Sequence, residues 1–522
     1  MSRRMRSLAL MAAGLLMAGA VAGCGGPGDP SGNGERKGQA QPPPSRSAQN
    51  TGTDPALPAA LTSQRLHWGA CEATDDSAAP GPEWQCATLK APLDYAKPEG
   101  KTIGVALIRA KSTGGGRDGS LLFNFGGPGG SGVSLLPAFA PRYAKLRERY
   151  DLVSFDPRGV GRSEGVRCRD DKAIQAAESV DLTPDTPAEE RAYFQDAADF
   201  GAGCARQAGK LLGHLSTDDT ARDMDLTRQV LGDDRLHYLG VSYGTQLGGV
   251  YAHLFPERVG RLVLDAVVDP TTGTVGHALG QTRGFQRALD DYLKATGQNP
   301  DRGTQKIAAL LKRLDAKPLP TADGRKLTQS LATIGITITL YSKGSWPSLT
   351  SALAAAENGD GTELLALADA YNERNSEGHY GSQSHAQRAI SCLDDKERPT
   401  PAEARKRLGS FRAISPVFGE FMAWDTAGWC HDWPVPGQHA TPEVSAPGAA
   451  PILVVGNTGD PATPYEGARH MADELGKGVG VELTWKGEGH GAYGSGSACV
   501  DSTVEAYLLE GRIPRDGKVC TS

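Results

Sequence analysis

Three residues of this chain have the types and the placement that acyl-transfer chemistry requires. Ser242 lies in Gly240-Val241-Ser242-Tyr243-Gly244, a G-x-S-x-G pattern. A serine on a sharp strand-to-helix turn has a crowded backbone, so the positions two before and two after it must be small. Its hydroxyl barely ionises at neutral pH and needs a base. His490, in Gly487-Glu488-Gly489-His490-Gly491, offers a ring with an ordinary pKa of about 6.5 that can take that proton and return it to a leaving group. Asp460, in Asn457-Thr458-Gly459-Asp460-Pro461, can hold the imidazole tautomer and stabilise its cation. The chain has 11 histidines, so no single residue carries the argument. The order serine, acid, histidine, each just past an apolar strand run, does. A second G-x-S-x-G match surrounds Ser163, but its strand has ended several residues earlier, and Ser163 reads as a structural turn.

The elements that would position these residues are legible as alternating strands and helices. Strand runs cover Ala87 to Leu93, Thr102 to Ala110, Leu121 to Phe125, Tyr150 to Phe155, Leu236 to Leu239, Arg261 to Val268, Pro451 to Val455 and Val481 to Trp485. Helical spacing covers Thr217 to Leu231, and recurs after Ser242 at Leu247, Val250, Tyr251 and Leu254. Thr463-Pro464-Tyr465-Glu466 has the form of a capping box opening a helix that runs to Leu475. Parallel strands put their C-terminal ends on one sheet edge, where Ser242, Asp460 and His490 can meet. The fold class this predicts is α/β, an α/β-hydrolase with a mostly parallel central sheet and an inserted, mainly helical cap. The loop Gly126-Gly127-Pro128-Gly129-Gly130-Ser131-Gly132 lacks the Gly-Lys-Ser/Thr of a phosphate loop. It reads as an oxyanion loop with Gly127 as donor and Gly126 as second choice, since Pro128 has no N–H. The Tyr243 amide, opening the elbow helix, supplies the other donor.

The chain divides into an export signal at residues 1–23, a flexible tether at 24–60, core at 61–270, helical cap at 271–446 and returning core at 447–522. Arg3, Arg4 and Arg6 precede an apolar run from Leu8 to Ala22, and Val21-Ala22-Gly23-Cys24 resembles the bacterial signal in which the cysteine becomes the lipidated first residue. An ordinary signal peptide is the competing reading. A formal charge of −6 without a basic run gives no reason to expect nucleic acid. Besides Cys24 there remain Cys71, Cys86, Cys168, Cys204, Cys392, Cys430, Cys499 and Cys520, an even set in an exported chain. Short loop closure favours disulfides between sequential neighbours. No metal motif is present in the sequence, and no cofactor is called for.

These segments together resemble the secreted tripeptidyl aminopeptidase group of α/β-hydrolases, relatives of the proline iminopeptidases. The resemblance rests on Gly126-Gly127-Pro128-Gly129-Gly130, Asp156-Pro157-Arg158-Gly159-Val160-Gly161-Arg162-Ser163, the Ser242 segment, Gly459-Asp460-Pro461-Ala462-Thr463-Pro464 and Gly489-His490-Gly491. It extends from about residue 65 to the closing Cys499-Val500-Asp501-Ser502 and Gly511-Arg512-Ile513-Pro514. Phe125 stands where the related iminopeptidases carry His. The resemblance implies hydrolysis of peptides near a free N-terminus, with the cap limiting the substrate's reach. An ammonium leaving water must be paired, and the cap acids Asp394, Asp395, Glu420 and Asp432 are candidates, Asp394 and Glu420 foremost. A carboxylesterase or lipase with the same triad is the alternative enzyme reading. A surface lipoprotein that binds peptides without cleaving them is the alternative of another class.

Overall fold

Apolar runs in this chain are continuous rather than alternating, because the strands they form are covered on both faces. The computed structural model describes residues 55–73 and 78–521; Cys24 and the export segment lie outside them. Among the described residues the main sheet has ten strands. They are β1 (Gly69–Ala70), β2 (Trp84–Pro92), β3 (Thr102–Ala110), β4 (Gly119–Asn124), β5 (Tyr150–Phe155), β6 (Leu236–Val241), β7 (Val259–Asp265), β8 (Ile452–Gly459), β9 (Gly480–Glu488) and β10 (Lys518–Thr521). Their order is β1-β2-β3-β5-β4-β6-β7-β8-β9-β10. Pairing is antiparallel from β1 to β5 through β2 and β3, and parallel from β5 onward.

Alternate residues of the central strands feed two cores. Leu122, Val153, Tyr238, Leu262 and Val454 face one, and Leu121, Leu152, Leu239, Val263 and Val455 the other. Truncating one such aliphatic side chain to Ala costs about 2–5 kcal/mol. The helices between Thr274 and Gly428 build a further core of their own, in which Phe285, Leu289, Ile307, Leu310, Leu311 and Leu314 are buried. One helix of this region, Gln383–Asp394, instead turns Ala386, Ala389, Ile390 and Leu393 toward the sheet-side core.

Cysteines pair as sequential neighbours: Cys71–Cys86, Cys168–Cys204, Cys392–Cys430 and Cys499–Cys520. The turn after β5 is built around Arg158, which is fully buried. Its guanidinium donates to both oxygens of Asp223 at 2.8 and 2.7 Å and to the carbonyls of Pro92, Leu93 and His214. That accounts for a buried charge: every face of it is paired. Ser163 is fully buried. It donates to Asp156 O at 2.7 Å and accepts from Ala106 N at 2.8 Å, so it is the structural turn residue its position implied.

Two local expectations are corrected. The apolar run after Asp265 leaves the sheet, because Ala266 takes a positive φ of 59° and bends the chain. The capping box at Thr463 does not form. The helix begins at Glu466 with Tyr465 before it and no side-chain cap, because Thr463 N is already donated to Asp460 Oδ1 at 2.9 Å.

Candidate active site

Ser242 has φ 59° and ψ −126°, a conformation that side-chain-bearing residues rarely take and that marks stored strain. Its neighbours explain how it is tolerated. A Cβ on Gly240 would lie 2.3 Å from Gly244 O, and one on Gly244 would lie 2.6 Å from Asn124 O. Thr245 Oγ1 donates to Ser242 O at 2.7 Å and accepts from Val268 N at 3.0 Å. The strand, the turn and the helix Tyr243–Leu254 thus lock the serine at the sheet edge.

Asp460 follows β8, and its side chain is fully buried. Oδ1 accepts from Ala462 N at 3.0 Å and Thr463 N at 2.9 Å. Both oxygens stand 3.0 Å from His490 Nδ1, which leaves the other ring nitrogen, Nε2, for a proton from outside the pair. No hydrogen bond joins Nε2 to the Ser242 hydroxyl among the described residues; such contacts tighten when substrate binds. His490 N donates to Tyr341 O at 2.8 Å, and the Tyr341 ring stands edge-on to the imidazole at 5.3 Å. Burial pushes the His490 pKa down, but the charge and hydrogen bond of Asp460, with Asp265 behind, outweigh it and leave the imidazole above its ordinary value.

Asp265, unforeseen from the sequence, ties the serine and histidine loops together. Its carbonyl accepts from Ser242 N at 3.0 Å, and its carboxylate accepts from Ala492 N at 3.0 Å and Tyr493 N at 2.9 Å. Burial pushes its pKa up to about 6, against the pull of those N–H groups. Its only sequence signal is an acid closing the run Leu262-Val263-Leu264.

Gly126 and Gly127 take positive φ of 89° and 112°. A Cβ on Gly126 would meet Ser242 Cβ at 2.8 Å and Tyr243 N at 3.1 Å, so only glycine lets this loop close on the elbow. Tyr243 begins its helix, so its amide is one of the N–H groups with no intrahelical acceptor. Of the two acids expected foremost at a substrate ammonium, Asp394 and Glu420, neither presents a free carboxylate. Asp394 accepts from Thr217 N at 2.8 Å and Thr217 Oγ1 at 2.6 Å; burial pushes its pKa up to about 7, against the Thr217 bonds. Glu420 is ion-paired with Arg412. Asp395 is bonded to Thr274, and Asp432 sits at the surface beside His431.

A strained serine opening a helix, a glycine loop against it and a buried Asp–His pair, all at the C-terminal ends of parallel strands, define an α/β-hydrolase. A family model described as TAP-like protein matches residues 415–520. Serine protease Hip1 of Mycobacterium tuberculosis is 35% identical over 485 residues, covering 88% of this chain and 91% of that protein. Carboxylesterase B of Mycobacterium tuberculosis is 35% identical over 504 residues, covering 92% and 95%. Tripeptidyl aminopeptidase of Streptomyces lividans is 32% identical over 462 residues, covering 84% and 83%. The chain belongs to the tripeptidyl-aminopeptidase-like family of α/β-hydrolases.

The raised His490 pKa fixes the direction of the pH response. A base must be neutral to accept a proton, so with His490 in that role kcat/KM should fall with acid through an apparent pKa above about 6.5. A pH–rate profile checks this; a midpoint below that value contradicts the Asp460 contact. The same shift favours the folded state below the ordinary histidine pKa, and that contribution is lost as pH rises through the raised one.

Proposed function

We propose that this chain is an exported serine peptidase that removes short peptides, tripeptides foremost, from free N-termini. The observation that carries the reading is the buried Asp460–His490 pair, held at 3.0 Å, on the sheet edge that also bears the strained Ser242. Ser242 Oγ attacks the scissile carbonyl carbon as its proton passes to His490 Nε2. The new oxyanion receives the Gly127 and Tyr243 amides. Collapse breaks the C–N bond, and His490 hands its proton to the leaving amine. Water then attacks the acyl-enzyme, giving its proton to His490, and Ser242 recovers its own when the free acid departs.

The helices of 271–446 act as the cap that limits the substrate beyond the scissile bond. The carboxylate of Asp425, half-buried on the helix Gly419–Gly428, makes no hydrogen bond or ion pair among the described residues, and burial pushes its pKa up to about 6 against the pull of Arg388. Burial and then the Asp425 charge raise the pKa of Tyr371, which neighbours Tyr341 beside His490. We assign the substrate ammonium to this carboxylate.

Acetylating the N-terminus of a good tripeptide amide removes the ammonium and should slow cleavage at least about a hundredfold, roughly 2.7 kcal/mol at the transition state. Asp425→Asn should shrink that ratio. The name of the relative carboxylesterase B keeps an esterase reading in play. Equal cleavage of free and acetylated peptides, with faster turnover of a short acyl ester, would favour it. No turnover of either would leave the peptide binder.

Export places the enzyme outside the cell, with Cys24 lipidated and the tether holding the fold off the membrane. Disulfides fit an oxidising compartment. Cys24→Ser should release soluble, active enzyme. Mass spectrometry finding a mature protein that begins downstream of Cys24 sinks the anchor.

A further inference from the structure

The oxyanion loop joins β4 to the helix Gly132–Phe139, and inside it Gly126 N donates to Asn124 Oδ1 at 3.0 Å and Gly130 N to Gly126 O at 3.2 Å. Glycines at 126, 127, 129 and 130 leave its backbone wide conformational freedom, yet oxyanion stabilisation needs an N–H within about 2.7–3.1 Å of the developing charge. Those bonds within the loop leave the Gly127 carbonyl and the Gly129 backbone to be held from across the site. Gln387 Nε2 donates to Gly127 O at 3.1 Å. Gly129 lies against the same helix so closely that a Cβ there would be 2.5 Å from Gln383 O and 2.8 Å from Gln387 N.

The far end of that helix grips the second donor. Asp394 takes Thr217 N at 2.8 Å and Thr217 Oγ1 at 2.6 Å. The Thr217 proton therefore points at the carboxylate, and its lone pair receives the Tyr243 hydroxyl at 2.5 Å. Tyr243, whose amide opens the elbow helix, is buried and cannot turn without breaking this chain. The two grips are seven positions apart along the helix, about 10 Å, on a stretch packed into the core by Ala389, Ile390 and Leu393 and tied by Cys392–Cys430.

We infer that the helix Gln383–Asp394 sets the spacing of the oxyanion hole, with Gln387 and Asp394 as positioning residues for Gly127 and Tyr243. The inference rests on the serine-peptidase reading above, and it gives Asp394 a role other than ammonium binding. It also makes the hole a joint product of core and cap-region chain, unable to form if that helix moves away.

The test uses the purified full chain with Gln387→Ala, Gln387→Glu and Thr217→Val, assayed on a free-amine tripeptide anilide and against the matching peptidyl boronate, which mimics the tetrahedral state. Each variant should lose about 10- to 100-fold in kcat, with KM within about twofold. Boronate affinity should fall in step; the melting temperature should hold in the Gln387 variants and drop in Thr217→Val, which leaves Asp394 and the Tyr243 hydroxyl short of a buried partner. The Gln387→Glu side chain keeps the shape but not the donor, so it serves if Gln387→Ala does not fold. Variants with kcat within about twofold of the parent, a loss confined to KM, or unchanged boronate affinity overturn the inference. Failure of the unmutated enzyme to react with a serine-directed phosphonate overturns the peptidase reading itself, and the inference with it.

Discussion

Ser242→Ala should lower turnover by roughly 10⁴- to 10⁶-fold. On the proposed mechanism the loss is this large because the Ser242 oxygen forms the acyl-enzyme bond. Once the hydroxyl is gone, water must attack directly, unpositioned, with only the oxyanion donors and substrate binding left to help. Ala at this position still has to take φ near 59°, so the strain remains and the fold should be retained. Ser163→Ala is the control. Its hydroxyl bridges Asp156 O and Ala106 N in the buried turn, so its removal should cost stability, about 1–3 kcal/mol for the orphaned groups, while activity of the folded fraction stays close to that of the parent. An active Ser242→Ala beside a folded but dead Ser163→Ala would reverse the assignment.

Asp460→Asn should cost about 10⁴-fold in kcat. The two carboxylate oxygens straddle His490 Nδ1 at 3.0 Å each and demand an N–H there. An amide can instead turn its NH₂ toward Nδ1, which stabilises the tautomer protonated on Nε2 and unable to take the Ser242 proton. The raised His490 pKa should fall as well, moving the acid limb of the rate profile to lower pH. Asp265 also acts on the His490 charge, but both its oxygens already serve Ala492 N, and one also serves Tyr493 N. A loss under about tenfold would mean that Asp265 carries the acid's role after all.

Much of this arrangement was legible because its signals are local. The run Thr102 to Ala110 and the run Tyr150 to Phe155 became strands with those bounds, since apolar residues buried on both faces leave no ambiguity of side. The helix Thr217–Leu231 was bounded by its own stop, Gly232 in the left-handed region at φ 81°. Ser242, Asp460 and His490 stood out because each follows such a strand. The contacts that escaped notice, including the one that engages Asp394, join distant partners. Gln387 reaches Gly127 across 260 residues of sequence, and Asp394 reaches Thr217 across 177. No spacing rule distinguishes a glutamine or an aspartate on that helix from its solvated neighbours. Glu420 looked available only because Arg412, eight residues earlier in the last turn of the preceding helix, gave no sign of folding back onto it. At Thr463 the local rule did apply but lost: the buried Asp460 carboxylate competes for the same amide and wins it.

The claim that Ser242 is the nucleophile is tested most directly by labelling the intact enzyme with a tripeptidyl diphenyl phosphonate bearing a free amine, followed by peptide mapping. A single adduct on the peptide containing Ser242, absent after acetylation of the reagent and absent in Ser242→Ala, is the predicted result. An adduct on Ser163 or any other residue, or no adduct while peptide hydrolysis proceeds, contradicts it.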